Sequence, residues 1–480
     1  MTPAATKKKK GIREISPIDV YKLLPRTNCG ECSVPNCMAF ATKVVNGEAV
    51  IDQCPPLLTT QYNETHDRLA ELLAPPVRAI TFGTGLRAAT IGGKHVLQRH
   101  EFTYQFPPPV AIDISDEMEP EVIKARVKEI TEFSYSYIGR TLTLDAIAIR
   151  SVTGDPAQFR SVVEQVVGLT DLPLILCSFD PVVMKAGLDA APSQRPIIYA
   201  ANENNWREMA ELSTTYSSPI VASAPGDLSL LRSLVKTLMA CGITDIVLDP
   251  GTFGDEGLAG TVHSFTAVRK SACKDADPLF GLPILGAPIA VWTGQELNEE
   301  MNRWQEAYTT SILMTRYSDL LIMHSIEGWV LLPQLIWRFG LYTDPRKPVS
   351  VDAGLRTFGT PGPDSPVLIT SNYALTFFTV ESDIKAAKID CYLIVVETGG
   401  LSVEAAVAGR YLTAEKIHDA LKDSTIEGIV THRYVILPGL AARLSGETED
   451  ATGWQVLVGP RDSSGIGKMI REHWPPKEDS

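Results

Sequence analysis

From Val110 onward the chain alternates short, uninterrupted apolar runs with amphipathic segments of helical period. The runs are VAIDISD (110–116), LDAIAIRSVT (144–153), PLILCSFD (173–180), PIIYAANENN (196–205), PIVASAPGD (219–227), DIVLDPGT (245–252), PILGAPIAV (283–291) and DLLIMHSIEG (319–328). A strand that is apolar at successive positions is covered on both faces, which is the mark of a parallel sheet flanked by helices. Eight such units in succession predict a (β/α)8 TIM barrel over residues 75–340.

A second, shorter series begins beyond it: PVLIT (366–370), DCYLIVVET (390–398), RYVILPG (433–439) and WQVLVGP (454–460), with helical patterns between them. This series predicts a small doubly wound α/β domain over residues 366–480. The intervening residues 341–365 are dense in proline and glycine and read as a linker. The fold class is therefore α/β, with a further small module ahead of the barrel. In that module, residues 1–60, Ser16 and Pro17 open a short helix that Pro25 stops, and Asn36 opens a second that Gly47 ends.

Composition is that of a soluble globular protein, 44% hydrophobic and 21% charged. A net charge of −13 argues against a nucleic-acid binder, which is usually basic. The one basic run, Lys7 to Lys10, reads as a solvated end. No apolar stretch is long enough to span a membrane, and no apolar h-region follows the N-terminal charges, so the expected location is cytoplasmic.

Half of the eight cysteines fall in the first 54 residues, inside NCGECSVPNCMAF and DQCPP. Cys29, Cys32, Cys37 and Cys54 have the spacing C-x2-C-x4-C-x16-C. In a reducing compartment such a cluster is better read as metal-binding than as a disulfide frame. Thiolates select zinc, copper(I) or iron–sulfur clusters. Zinc sites usually pair C-x2-C knuckles, and the long second spacing moves the reading toward a 4Fe–4S cluster, with zinc and unligated thiols as the alternatives. Cys177, Cys241, Cys273 and Cys391 lie in apolar segments and read as small hydrophobes. FGTGL (82–86) has G-x-G but no third glycine and reads as a turn.

With these residues in view, TNCGECSVPNCMAFATKVVNGEAVIDQCPPL resembles the cluster-binding segment of the large subunits of corrinoid/iron–sulfur proteins. The archaeal version of that family is the gamma subunit of the acetyl-CoA decarbonylase/synthase complex. LITSNYALTFFTVESDI, TGGLSVEAAVAG and YVILPGLAARLSGETEDATGWQVLVGP carry the resemblance through the C-terminal domain. The resemblance implies a corrinoid on that domain. It also implies a methyltransferase component that takes the N5 methyl of a methyl-tetrahydropterin (tetrahydrosarcinapterin or tetrahydrofolate) onto Co(I). The methyl then passes to the nickel site of acetyl-CoA synthase, or the reverse in acetate cleavage, while a 4Fe–4S cluster reactivates Co(II). Implied partners are the smaller corrinoid-protein subunit, the acetyl-CoA synthase and CO dehydrogenase subunits, and the pterin with or without a methyltransferase of its own.

Ligands of open α/β sheets bind at the carboxyl ends of strands. On the loops there, the resemblance implies corrinoid contacts at Thr370, Asn372, Thr376, Gly399, Gly400, Leu401, Ser402, Val403 and Gly439, with no catalytic protein side chain. None of the eight histidines has an aspartate two residues before it, so the D-x-H-x-x-G lower-ligand motif is absent and the corrinoid is expected base-off. On the barrel, Asp113, Asp116, Arg150, Asp180, Asn202, Asn204, Asp249 and His324 end strands. They read as helix caps and interface groups, with a pterin site on that face as the alternative. Two other readings of the chain stay open: an electron-transfer subunit without a corrinoid, and a zinc-stabilised pterin methyltransferase barrel.

Overall fold

A computed structural model describes residues 15–46, 49–93, 106–137, 140–293, 298–341 and 348–475. The Lys7–Lys10 run and Gly47 lie outside the described residues. One compact unit draws on residues up to 135 and on 142–343, and a second on 136–141 and the residues from 344 on.

In the first unit, eight parallel strands form one sheet: β1 (Val110–Ser115), β2 (Ala146–Arg150), β3 (Leu174–Cys177), β4 (Ile197–Ala201), β5 (Ile220–Ser223), β6 (Ile246–Asp249), β7 (Leu285–Gly286) and β8 (Leu320–Met323). Their order is β6-β5-β4-β3-β2-β1-β8-β7, and a parallel bridge from Leu248 to Ile284 closes the barrel. Each strand falls within one of the eight apolar runs. The period of two sorts their side chains. Ala111, Ala148, Ile175, Val221, Val247 and Ile322 pack inside the barrel, while Ile112, Ile149, Leu176, Ile220, Leu248 and Leu321 pack outward beneath the helices.

One end of the barrel is plugged. Two short antiparallel strands, Ile80–Phe82 and Ala89–Ile91, place Ile80, Phe82 and Ile91 in the inner apolar cluster. FGTGL begins the turn between them, as expected. The hairpin meets the residues that precede the barrel strands: Gly83 N–H donates to the Arg195 carbonyl (3.1 Å). Gly92, at φ +80°, approaches so closely that a Cβ would sit 2.1 Å from the Arg78 carbonyl oxygen. Any side chain at position 92 would displace the plug. The opposite, C-terminal end carries the strand-end polar residues.

In the second unit, five strands run β9 (Gly354–Phe358), β10 (Val367–Ser371), β11 (Cys391–Val396), β12 (Tyr434–Leu437) and β13 (Gln455–Val458), in the order β9-β11-β10-β12-β13. All pairings are parallel except that of β9 with β11. The stretch read as linker thus contains an edge strand. Its flanking glycines and prolines mark turns, and GLRTF is too polar to signal a strand because an edge strand is covered on one side only. β10 is central, with β11 on one side and β12 on the other, so the strand order reverses there and opens a crevice.

Not every remaining cysteine is buried. Cys391 is buried at the start of β11, but Cys241 is exposed just after a helix end, where it packs into no core.

Candidate cofactor sites

In the N-terminal module, α1 (Pro17–Leu23) opens with a reciprocal cap: Ser16 N–H donates to Asp19 Oδ2 (3.1 Å) and Asp19 N–H to Ser16 Oγ (3.3 Å). α2 (Cys37–Val45) is capped by Asn36, whose Oδ1 accepts from Ala39 N–H at 2.8 Å. Asn28 then ties the first cysteine loop to this helix, its Oδ1 accepting from Cys37 N–H at 2.9 Å.

Cys37 and Cys54 are buried among Val20, Leu24, Phe40 and Leu57, Cys32 is partly buried beside them, and Cys29 is exposed. Burial pushes the Cys32 and Cys54 thiols up, and the other cysteines of the set push them further. Thiols held up in this way, as Cys32 and Cys54 are, are a poor arrangement without a cation and a good one around a positively charged iron–sulfur core. Among the described residues, no three His, Cys, Asp or Glu side chains are set around a single metal ion.

In the second unit, the loops that end β10 and β11 are bound together by Asn372, which is almost wholly buried. Its Oδ1 accepts from Thr398 N–H (3.0 Å), Thr398 Oγ1 (2.8 Å) and Gly400 N–H (3.0 Å), while its Nδ2 donates to Glu397 Oε2 (2.8 Å). Gly399 and Gly400 adopt φ +69° and +72°, the left-handed conformation that turns their N–H groups toward Glu397 and Asn372. A Cβ on Gly400 would also lie 2.9 Å from the Pro348 carbonyl oxygen.

A cavity of about 370 Å³ opens in the crevice between β10 and β12. Thr370, Thr376, Ser402 and Val403 line it, with Leu375 and Arg461. Thr370 is 2% exposed and its Oγ1 has no hydrogen-bond partner. A buried, unsatisfied hydroxyl at the wall of a cavity is costly unless a ligand completes it.

Of the nine positions expected to touch a corrinoid, four line this cavity. Asn372, Gly399 and Gly400 shape the loop behind it. Leu401 contributes its carbonyl to the Thr398 hydroxyl (3.0 Å). Gly439 lets the segment after β12 lie against residues 459–461, where a Cβ would come within 2.7 Å of the Gly459 carbonyl oxygen. Sequence reasoning missed Glu397, Thr398 and Arg461. Glu397 precedes TGGLSVEA and Thr398 opens it, and both show their role only once Asn372 is placed against them. A larger hollow of about 810 Å³ lies beside Lys468, Met469 and His473 and contains none of the nine.

Comparison with known proteins bears on both sites. A family model described as CO dehydrogenase/acetyl-CoA synthase delta subunit matches residues 79–470, and an Fe-S cluster family matches residues 24–56. Acetyl-CoA decarbonylase/synthase complex subunit gamma 2 of Methanosarcina mazei is 43% identical over 96% of this chain and 99% of its own length. The chain belongs to this gamma-subunit family. The gamma subunit of Methanothermobacter thermautotrophicus is 44% identical over 94% of this chain and 98% of its own. The delta-subunit model covers only the barrel and C-terminal domain, whereas the gamma relatives also span the cysteine module. That module is therefore the family's iron–sulfur segment. Dihydropteroate synthase of Thermus thermophilus aligns with 55% of the chain and all of its own length, at 15% identity and a TM-score of 0.38. Among the described residues no helix is long and apolar enough to cross a membrane.

Proposed function

We propose that this gamma-family chain is the methyl carrier of its complex. It takes the N5 methyl of a methyl-tetrahydropterin onto a corrinoid held by the C-terminal domain and passes it to the nickel site of acetyl-CoA synthase, or runs the reverse in acetate cleavage. The observation that carries this reading is the orphaned Thr370 hydroxyl in a cavity at the switch point of the C-terminal sheet. When bound, a corrinoid supplies a cobalt nucleophile for methyl, and a 4Fe–4S cluster supplies single electrons that restore cobalt after oxidation.

The residues of this chain bind and orient. Thr370, Thr376, Ser402 and Val403 border the cavity, and Gly399 and Gly400 give the loop behind it the left-handed turn that its hydrogen bonds to Asn372 and Glu397 require. Cys29, Cys32, Cys37 and Cys54 would hold the cluster as its four thiolates. None of the described histidines lines the cavity, which supports a corrinoid without a histidine ligand below. The proposed partners are the smaller corrinoid-protein subunit and the acetyl-CoA synthase and CO dehydrogenase subunits. Titrating the anaerobic full-length chain with hydroxocobalamin tests the reading. Saturable binding, weakened several-fold by Thr370→Val, is expected. An absence of binding by the chain with its partner subunit present would leave only an electron-transfer role.

A further inference from the structure

The stretch that joins the two units also holds the walls of the C-terminal cavity. Pro348 to Asp352 belong to the second unit and run antiparallel to the loop that ends β10, with Ser350 bridged to Tyr373. Two main-chain hydrogen bonds flank that bridge, both at 2.9 Å. Val351 N–H donates to the Asn372 carbonyl, and Ala374 N–H donates to the Val349 carbonyl. The same residues lie against the loop that ends β11. A Cβ on Gly400 would come within 2.9 Å of the Pro348 carbonyl oxygen and 3.3 Å of Ser350 Cβ.

The bond from Ala374 has a further consequence. Ala374 opens α3 (Ala374–Ala387), and the first N–H groups of a helix have no partner inside it. A side chain at the N-cap position usually supplies one, but Tyr373 stands there and makes no such bond. The Val349 carbonyl takes the place of the missing cap. The turn it caps is a wall of the cavity, which Leu375, Thr376 and Thr379 line.

These five residues are lightly held. Pro348, Val349 and Ser350 are exposed, and Val351 alone packs on the core, against the cluster that contains Phe377 and Cys391. Just beyond them, Arg356 Nη2 donates to the Asp352 carbonyl at 2.8 Å. A segment kept in place by two main-chain bonds and one apolar side chain opens by local unfolding far more readily than the sheet beside it.

We propose that residues 348–352 are a clasp that couples the joining stretch to occupancy of the cavity. Seated, the clasp caps α3 and holds both loops. Released, it leaves the Ala374 N–H and the Asn372 carbonyl without these partners, and the first turn of α3 frays. A ligand bound against Thr370, Thr376 and Ser402 therefore favours the seated clasp. The coupling is reciprocal, so a pull along the joining stretch that unseats the clasp weakens the ligand by the same factor. That the ligand is a corrinoid rests on the function proposed above, whereas the contacts of the clasp do not.

The test is hydrogen exchange at the Val351 and Ala374 amides of the anaerobic full-length chain, with and without hydroxocobalamin. Neither residue lines the cavity, so a ligand there reaches these amides only through the coupling. Saturating hydroxocobalamin should slow both by about tenfold. Val351→Pro removes the N–H that the Asn372 carbonyl accepts. In that variant Ala374 exchange should quicken by about tenfold, β10 to β12 should keep their protection, and hydroxocobalamin should bind several-fold more weakly. Hydroxocobalamin binding that leaves both amides of the parent unchanged overturns the clasp and leaves the carrier function standing. If the parent binds no hydroxocobalamin, the carrier function fails and the variant decides the clasp. Ala374 exchange at the parent's rate then overturns it, and faster exchange supports it.

Discussion

Asn372→Ala should uncouple the two loops beside the cavity proposed for the corrinoid. The substitution removes the acceptor of two buried N–H groups, those of Thr398 and Gly400. The Thr398 hydroxyl keeps an alternative acceptor in the Leu401 carbonyl. A buried donor left unsatisfied costs about 1–3 kcal/mol, so two cost roughly 2–6, and relaxation of a surface loop places the expected loss near 3 kcal/mol. That is a large share of a typical domain's stability. Asn372→Asp separates this effect from simple truncation. It keeps the acceptor but turns a 2.8 Å hydrogen bond to Glu397 into a contact of two carboxylates, which must share a proton. This variant should therefore be weakened at neutral pH and recover as the pH falls toward about 5. Urea unfolding gives the stability change, and hydrogen exchange at the Thr398 and Gly400 amides locates it. Parent-like stability to within about 0.5 kcal/mol, with both amides still protected, would refute the assigned role of Asn372.

Gly400→Ala combines a left-handed φ with a Cβ 2.9 Å from the Pro348 carbonyl oxygen. It should cost roughly 1–3 kcal/mol in chemical denaturation and weaken cobalamin binding. Cys54→Ala should abolish iron incorporation, measured by metal analysis, and reductive reactivation of oxidised cobalt, while cobalamin still binds. Asp113→Asn should destabilise the barrel at pH 7 by about 3 kcal/mol, because the buried partner of the Arg126 and Arg150 guanidiniums is lost. Burial opposes ionisation of Asp113, but the hydrogen bond and charge of His324 and the two arginines hold its carboxyl below the usual range. The stabilisation is thus present above the ordinary carboxylate pKa and lost as pH falls through the lower folded value. The gap between parent and variant in pH-dependent unfolding should narrow below about pH 4.

The barrel was legible because its strands are apolar on both faces along most of their length, and the α1 and α2 caps because Ser16, Asp19 and Asn36 act on residues three positions away. β9 was not legible, since an edge strand needs only one covered face and its neighbours are turn residues. The cysteine set stands out as a candidate metal site from its spacing. The loops at the carboxyl ends of the C-terminal strands could be located but not resolved into roles. Asn372 looks like a ligand contact in sequence, yet its amide is occupied by groups 26 and 28 residues away. The contact of Asp113 with His324 was hidden for a related reason. The two are 211 residues apart, and only barrel closure shows that they meet while Asp116 and Asp180 hold local turns.

The most direct test of the methyl-carrier assignment is the absorption spectrum of the full-length chain, prepared anaerobically with iron, sulfide and cobalamin and freed of excess reagents, with iron and cobalt measured on the same sample. A brown cluster absorbance superimposed on corrin bands is expected, with about four irons and one cobalt per chain. Iron without cobalt, or a colourless protein containing zinc, would contradict the assignment.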